Sequence, residues 1–85
     1  VKRAHNKKQP TPQVEAVYRQ IGAKVEGIRG VLGITQAELA SRCGLERASI
    51  ANLETGRQRC PLHVIENIAR GLGTTPKNLM RGIWT

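Results

Sequence analysis

The sequence predicts an all-α domain, and three observations predict it. Apolar residues recur at intervals of three and four from Val14 to Leu72, no segment alternates with period two over a strand's length, and glycine or proline separates the periodic stretches. Eighty-five residues allow one domain, and with one Tyr, one Trp and no Phe its core has to be assembled from Ile, Leu, Val and Ala.

Five helices follow in order. In the first, Val14, Val17, Tyr18, Ile21, Val25, Ile28 and Leu32 form one face after Pro12, which suits a first turn. Gly22, Gly27 and Gly30 each cost roughly 1 kcal/mol against Ala, so this helix needs tertiary packing, and Gly33 ends it. The second opens on Thr35-Gln36-Ala37-Glu38, a Thr-x-x-Glu capping arrangement, then turns Leu39, Ala40 and Cys43 inward and stops at Gly44. A third spans about 46–54 with Ile50 and Leu53 inward, Leu45 plugging the turn before it and Gly56 ending it. After the basic loop 57–60, Pro61 is placed as first residue of a fourth helix carrying Leu62, Ile65, Ile68, Ala69 and Leu72. Gly73 closes it, and Thr75-Pro76 reads as cap and first turn of a short fifth helix bearing Leu79, Met80 and Ile83.

The charge is the second guide. Fourteen Lys and Arg against six acids leave +8, which points to a polyanionic partner. Half of it lies in residues 1–11, where Lys2, Arg3, Lys7 and Lys8 stand with no acid and almost no apolar residue. Such a segment cannot offset its ordering entropy by burial, and it reads as a disordered basic arm able to lie in a groove, or equally as a solvated tail. The domain proper is expected over 12–85, where ten basic residues against six glutamates leave the other +4.

Several function classes are excluded. No run of about 18 apolar residues exists for a membrane span, and no hydrophobic stretch reads as a signal peptide, so a cytoplasmic, nucleoid-associated protein is expected. Cys43 and Cys60 form no CxxC pair, His5 and His63 stand alone, and neither a disulfide nor a metal or other cofactor is expected. An enzyme lacks its constellation: six Glu, no Asp and no nucleophile beside a base. No small-molecule substrate is evident.

Residues 36–55 carry the function: two short helices joined by a glycine turn. Ala40 must be small where the next helix crosses, Gly44 supplies the positive φ of a sharp turn, and Leu39, Cys43, Leu45, Ile50 and Leu53 hold the pair to the domain. The stretch TQAELASRCGLERASIANLETGRQRCP resembles the lambda-repressor-like helix-turn-helix proteins of the phage repressor and Cro type. That resemblance implies a compact five-helix domain whose third helix lies in the major groove, and a sequence-specific regulator of transcription. The expected regulator is a repressor binding double-stranded DNA at a near-palindromic operator as a homodimer.

Site residues follow from matching positions. Arg47, Ala48 and Asn52 occupy base-reading sites: the Arg47 fork suits guanine O6 and N7, Asn52 suits adenine N6 and N7, and Ala48 a thymine methyl. Glu46 departs from the Ser or Thr usual at this cap and is kept as a base contact, turned toward a cytosine amino group or toward Arg47. Gln36 is expected to bond a phosphate and brace the reading helix, at a helix end whose amides and dipole favour an anion. Ser49, Thr55, Arg57 and Arg59 are the other phosphate contacts. The resemblance also implies an ion pair between Arg29 and Glu54 that orients the reading helix. Arg19, Lys24, Arg70, Lys77 and Arg81 read as plain surface charge. The dimer interface is expected at Met80, Ile83 and Trp84, with folding of Trp84 onto its own core as the alternative. A second function of another class is an antitoxin, in which the same fold autoregulates its operon and masks a protein partner. Phage repressor, restriction-modification controller and plasmid regulator are not separated at this level.

Overall fold

Five helices succeed one another: α1 (Pro12–Leu32), α2 (Gln36–Cys43), α3 (Arg47–Glu54), α4 (Leu62–Gly71) and α5 (Pro76–Leu79). They come from a computed structural model that describes residues 12–83. The expectations for Lys2, Arg3, Lys7, Lys8 and Trp84 lie outside the described residues.

α1 is a rod of 21 residues, roughly 31 Å long, whose middle turns bury Ile21, Gly22 and Val25. Gly22 explains how a glycine-rich helix persists here. A Cβ at that position would overlap the carbonyl oxygen of Leu53 and lie 2.6 Å from that of Glu54, so α1 and the end of α3 touch backbone to backbone. The apolar face outruns this contact. Leu32, expected inward, is 47% exposed and its neighbour Val31 is 88% exposed. Periodicity continues through the last turn of α1, but no described helix covers it, and Leu32 lines an open cleft facing α2 and α4.

α2 starts as its sequence requires. Glu38 N donates to Thr35 Oγ1 at 3.0 Å and Thr35 N donates to Glu38 Oε1 at 2.7 Å, a reciprocal cap. It stops because Gly44 adopts φ 71°, letting Leu45 N reach the Ala40 carbonyl at 2.9 Å. Two boundaries differ from expectation by one residue. Glu46 is the N-cap of α3 and not its first residue, with extended φ −89° and ψ 152° and no side-chain cap. Pro61 is likewise the N-cap of α4, since its ψ of 159° is extended while its carbonyl accepts from Val64 N and Ile65 N. At α5 the Thr75 hydroxyl accepts from Asn78 N at 3.1 Å, with Pro76 in the first turn.

The core lies where α1, α3, α2 and α4 converge, with Leu39, Ile50, Ile68, Leu79 and Val25 fully buried. Each is worth roughly 1.5–3 kcal/mol of transfer free energy. Ile83, expected at a dimer surface, instead joins this core, because the turn after α5 folds it inward. Among the described residues no helix is long and apolar enough to cross a membrane.

Candidate nucleic-acid interface

α3 divides cleanly between two faces. Ile50 and Leu53 point into the core, while Arg47 and Ala48 are exposed and Ser49 and Asn52 are half-buried. Its outer face is therefore a short, low ridge that carries one guanidinium fork at its first residue and one carboxamide in its second turn. The Asn52 side chain makes no hydrogen bond among the described residues; only its backbone carbonyl is used, accepting from Arg57 N at 2.9 Å and Gln58 N at 3.3 Å.

Behind that ridge runs a line of polar bonds from the interior to the surface. Arg29 Nε donates to Glu54 Oε2 at 2.7 Å and Arg29 Nη2 to Glu54 Oε1 at 3.1 Å, a bidentate pair with the carboxylate buried. Arg29 Nη1 also donates to the Ile34 carbonyl at 3.0 Å, tying in the α1–α2 turn. Gln36 Nε2 donates to Glu54 Oε1 at 2.9 Å, and Gln36 Oε1 accepts from Arg47 Nη1 at 3.0 Å. Glu54 thus holds α1, α2 and α3 at one point, and Gln36 passes the constraint to the exposed arginine. The hydrogen bond that Arg29 donates to Glu54 pushes its guanidinium pKa above the ordinary value, against the opposing effect of burial. Arg47 uses only Nη1 on Gln36, and its Nε and Nη2 have no protein acceptor among the described residues.

Other expected residues are placed less directly. Glu46 is exposed and forms no ion pair with Arg47; among the described residues Arg29–Glu54 is the ion pair within 4.0 Å. The Thr55 hydroxyl donates back to the Asn52 carbonyl at 3.2 Å and the Ala51 carbonyl at 3.4 Å, so a phosphate contact requires it to turn. Arg57 and Arg59 project from the loop after α3, and the Arg59 guanidinium lies 5.9 Å from the centre of the Tyr18 ring. Met80 is half-buried beside the exposed Leu62. Sequence reasoning missed that Gln36 faces inward and outward at once; only the tertiary position of Glu54 reveals it.

Cys60 anchors the foot of the basic loop. It is buried, and burial, with a smaller contribution from Cys43, pushes its thiol up to about 11. Burial also raises Cys43, opposed by Arg42, and its Sγ donates to the Asn67 carbonyl at 3.6 Å. Both are free, neutral thiols that act as core residues.

Comparison with known proteins places these features among relatives. The family model described as "Helix-turn-helix domain" matches residues 20–81. Control protein C.BamHI of Bacillus amyloliquefaciens is 38% identical over 60 residues, covering 69% of this chain and 74% of that protein. The restriction-modification controller protein C.AhdI from Aeromonas hydrophila is similar in structure at TM-score 0.73 and 28% identity, over 75% of this chain and 97% of that one. The clp gene regulator ClgR from Corynebacterium glutamicum shares the fold at TM-score 0.76 and 20% identity, over 89% and 92% of the two chains.

Proposed function

The chain belongs to the helix-turn-helix domain family and is a DNA-binding transcriptional regulator, and on that premise we propose that it is a repressor acting as a dimer on a near-palindromic operator. One observation carries this reading: the Arg29–Glu54–Gln36–Arg47 line ends on an exposed guanidinium fork at the start of α3. A side chain fixed before DNA arrives loses less entropy on reading a base.

In this reading α3 enters the major groove. Arg47 bonds guanine O6 and N7, Asn52 reads adenine, Ala48 meets a thymine methyl, and Glu46 accepts from a cytosine amino group. Gln36 keeps one amide hydrogen for a phosphate while the other stays on Glu54, and Ser49, Thr55, Arg57 and Arg59 contact flanking phosphates. The arm, through Lys2, Arg3, Lys7 and Lys8, adds contacts beyond the half-site. Repression follows from occupancy alone, which needs neither a catalytic residue nor a cofactor.

One such domain reads too few bases to specify a site, and two subunits about 34 Å apart on successive major-groove faces remedy that. The dimer contact is proposed at the end of α5, where half-buried Met80 borders exposed Leu62 and the chain continues to Trp84. Similarity to C.BamHI and C.AhdI supports control of restriction-modification genes as the setting, in the cytoplasm. Selection of bound sites from random duplexes tests the whole reading. A two-fold repeat with a guanine under Arg47, lost in Arg47→Ala, is expected; an unpaired motif or none refutes the dimeric operator.

A further inference from the structure

The N-terminal half of α1 meets the loop that follows α3, and the contact gathers positive charge without neutralising it. Gly56 marks the place. A Cβ there would lie 2.6 Å from Arg19 Cγ, 3.0 Å from its Cα and 3.2 Å from its backbone nitrogen, so the stem of Arg19 lies across this glycine. Arg57 is the next residue of the loop. Two residues on, Arg59 stands over the ring of Tyr18, the neighbour of Arg19 in α1. Exposed Arg19 and Arg59 therefore meet at one turn of α1, with exposed Arg57 following Gly56 in the same loop.

Among the described residues no carboxylate pairs with them. The adjacent Glu54 is buried and committed to Arg29 and Gln36, and Glu15, one turn before Arg19, makes no ion pair within 4.0 Å with any described residue. Two other surface arginines have an internal acceptor: Arg42 donates to the Gly71 carbonyl at 2.9 Å and Arg81 to Asn78 Oδ1 at 2.8 Å, whereas exposed Arg70 on α4 has none among the described residues. Arg19 and Arg57 have no such acceptor among the described residues. Like charges brought together repel, and the arrangement becomes favourable when an external anion lies between them. The basic residues of 1–11 join the chain at this same end of α1, two turns before Arg19.

We propose that Arg19 is a DNA-phosphate contact, forming with Arg57 and Arg59 a clamp on the phosphate strand beside α3. The proposal rests on the DNA-binding reading and extends it to a helix otherwise assigned to packing. Tyr18 fixes Arg59, and Gly56, by lacking a side chain, admits Arg19 to the loop. The clamp reads no base; it sets how firmly and in what register α3 is pressed into its groove.

The test uses the full chain with its selected operator and with a mixed-sequence duplex, measuring affinity across salt concentrations. Arg19→Ala should lower affinity by the same factor on both duplexes. It should also flatten the log-log salt slope by about 0.9 for each phosphate no longer neutralised, roughly two units for a dimer. Arg19→Lys should restore the slope, and thermal melting should match the wild type in both variants. Arg70→Ala, the same charge change on α4, should leave the slope intact. The proposal is overturned if Arg19→Ala keeps the wild-type slope while Arg57→Ala loses it, an outcome that spares the DNA-binding reading. It is equally overturned if Arg70→Ala matches Arg19→Ala, since net charge alone would then account for the loss. A wild type without salt dependence would bring down both readings together.

Discussion

Two clusters of charge flank α3, and they are built on opposite plans. Along its length, from Glu54 at its last residue to Arg47 at its first, Arg29, Glu54, Gln36 and Arg47 are joined bond to bond, with the central carboxylate buried. Beyond its carboxy-terminal end Arg19, Arg57 and Arg59 are gathered with no acid among the described residues to pair them. The first plan spends charge on geometry, since a buried pair contributes direction more than net stability. The second holds charge in reserve for a polyanion. Discrimination between sequences should therefore depend on the paired cluster, and affinity common to all sequences on the unpaired one.

The most severe way to break this contrast is Glu54→Ala. It strands the half-buried Arg29 and should cost about 3–5 kcal/mol in urea unfolding; a change within about 0.5 kcal/mol, the range of an ordinary surface substitution, would refute the structural role. Gly22→Ala should cost about 1–3 kcal/mol by forcing α1 from the end of α3, with operator preference retained in the folded fraction. Arg47→Ala should leave stability almost unchanged and lose about 1–3 kcal/mol of discrimination at a single base position. Arg57→Ala, by contrast, should weaken every duplex alike and leave the base preferences as they are; indistinguishable binding profiles for these two variants would erase the division.

The smallest effect concerns the foot of the loop. Burial holds the Cys60 thiol at about 11 in the folded protein, above the ordinary value of 9.0 expected when unfolded. Between those values the unfolded chain binds fewer protons than the folded one, so stability should fall as pH rises through that window. Cys60→Ala should flatten that part of the profile measured by thermal melting, and an unaltered profile would assign the decline to other groups.

Much of this is legible in the sequence, for a physical reason. Thr35 with Glu38, Gly44, and Thr75 with Pro76 are local devices whose partners lie within four residues, and the structure forms them as written. The all-α architecture and the inward set Leu39, Ala40, Cys43, Ile50 and Leu53 follow from the same short-range logic. Sequence and structure part where a residue's fate depends on distant chain. Leu32 keeps helical phase but is left half exposed among the described residues, and Ile83, which reads as a surface residue beyond α5, is turned into the core. Gln36 reads as a phosphate contact from its position in the motif, but its double engagement needs Glu54, eighteen residues away, to be folded beneath it. Arg19 reads as surface charge because nothing within one turn of it announces Gly56, which lies far along the chain.

The uncapped start of α3 has a bearing on design. Glu46 is in cap conformation but its side chain leaves the first amides of the helix unserved. Glu46→Ser or Glu46→Asp should add about 1 kcal/mol to stability with little strain, since the backbone already has the required shape. A protein engineer would meet there a trade between durability and performance: the easiest residue at which to harden the fold lies on the surface that has to meet its target.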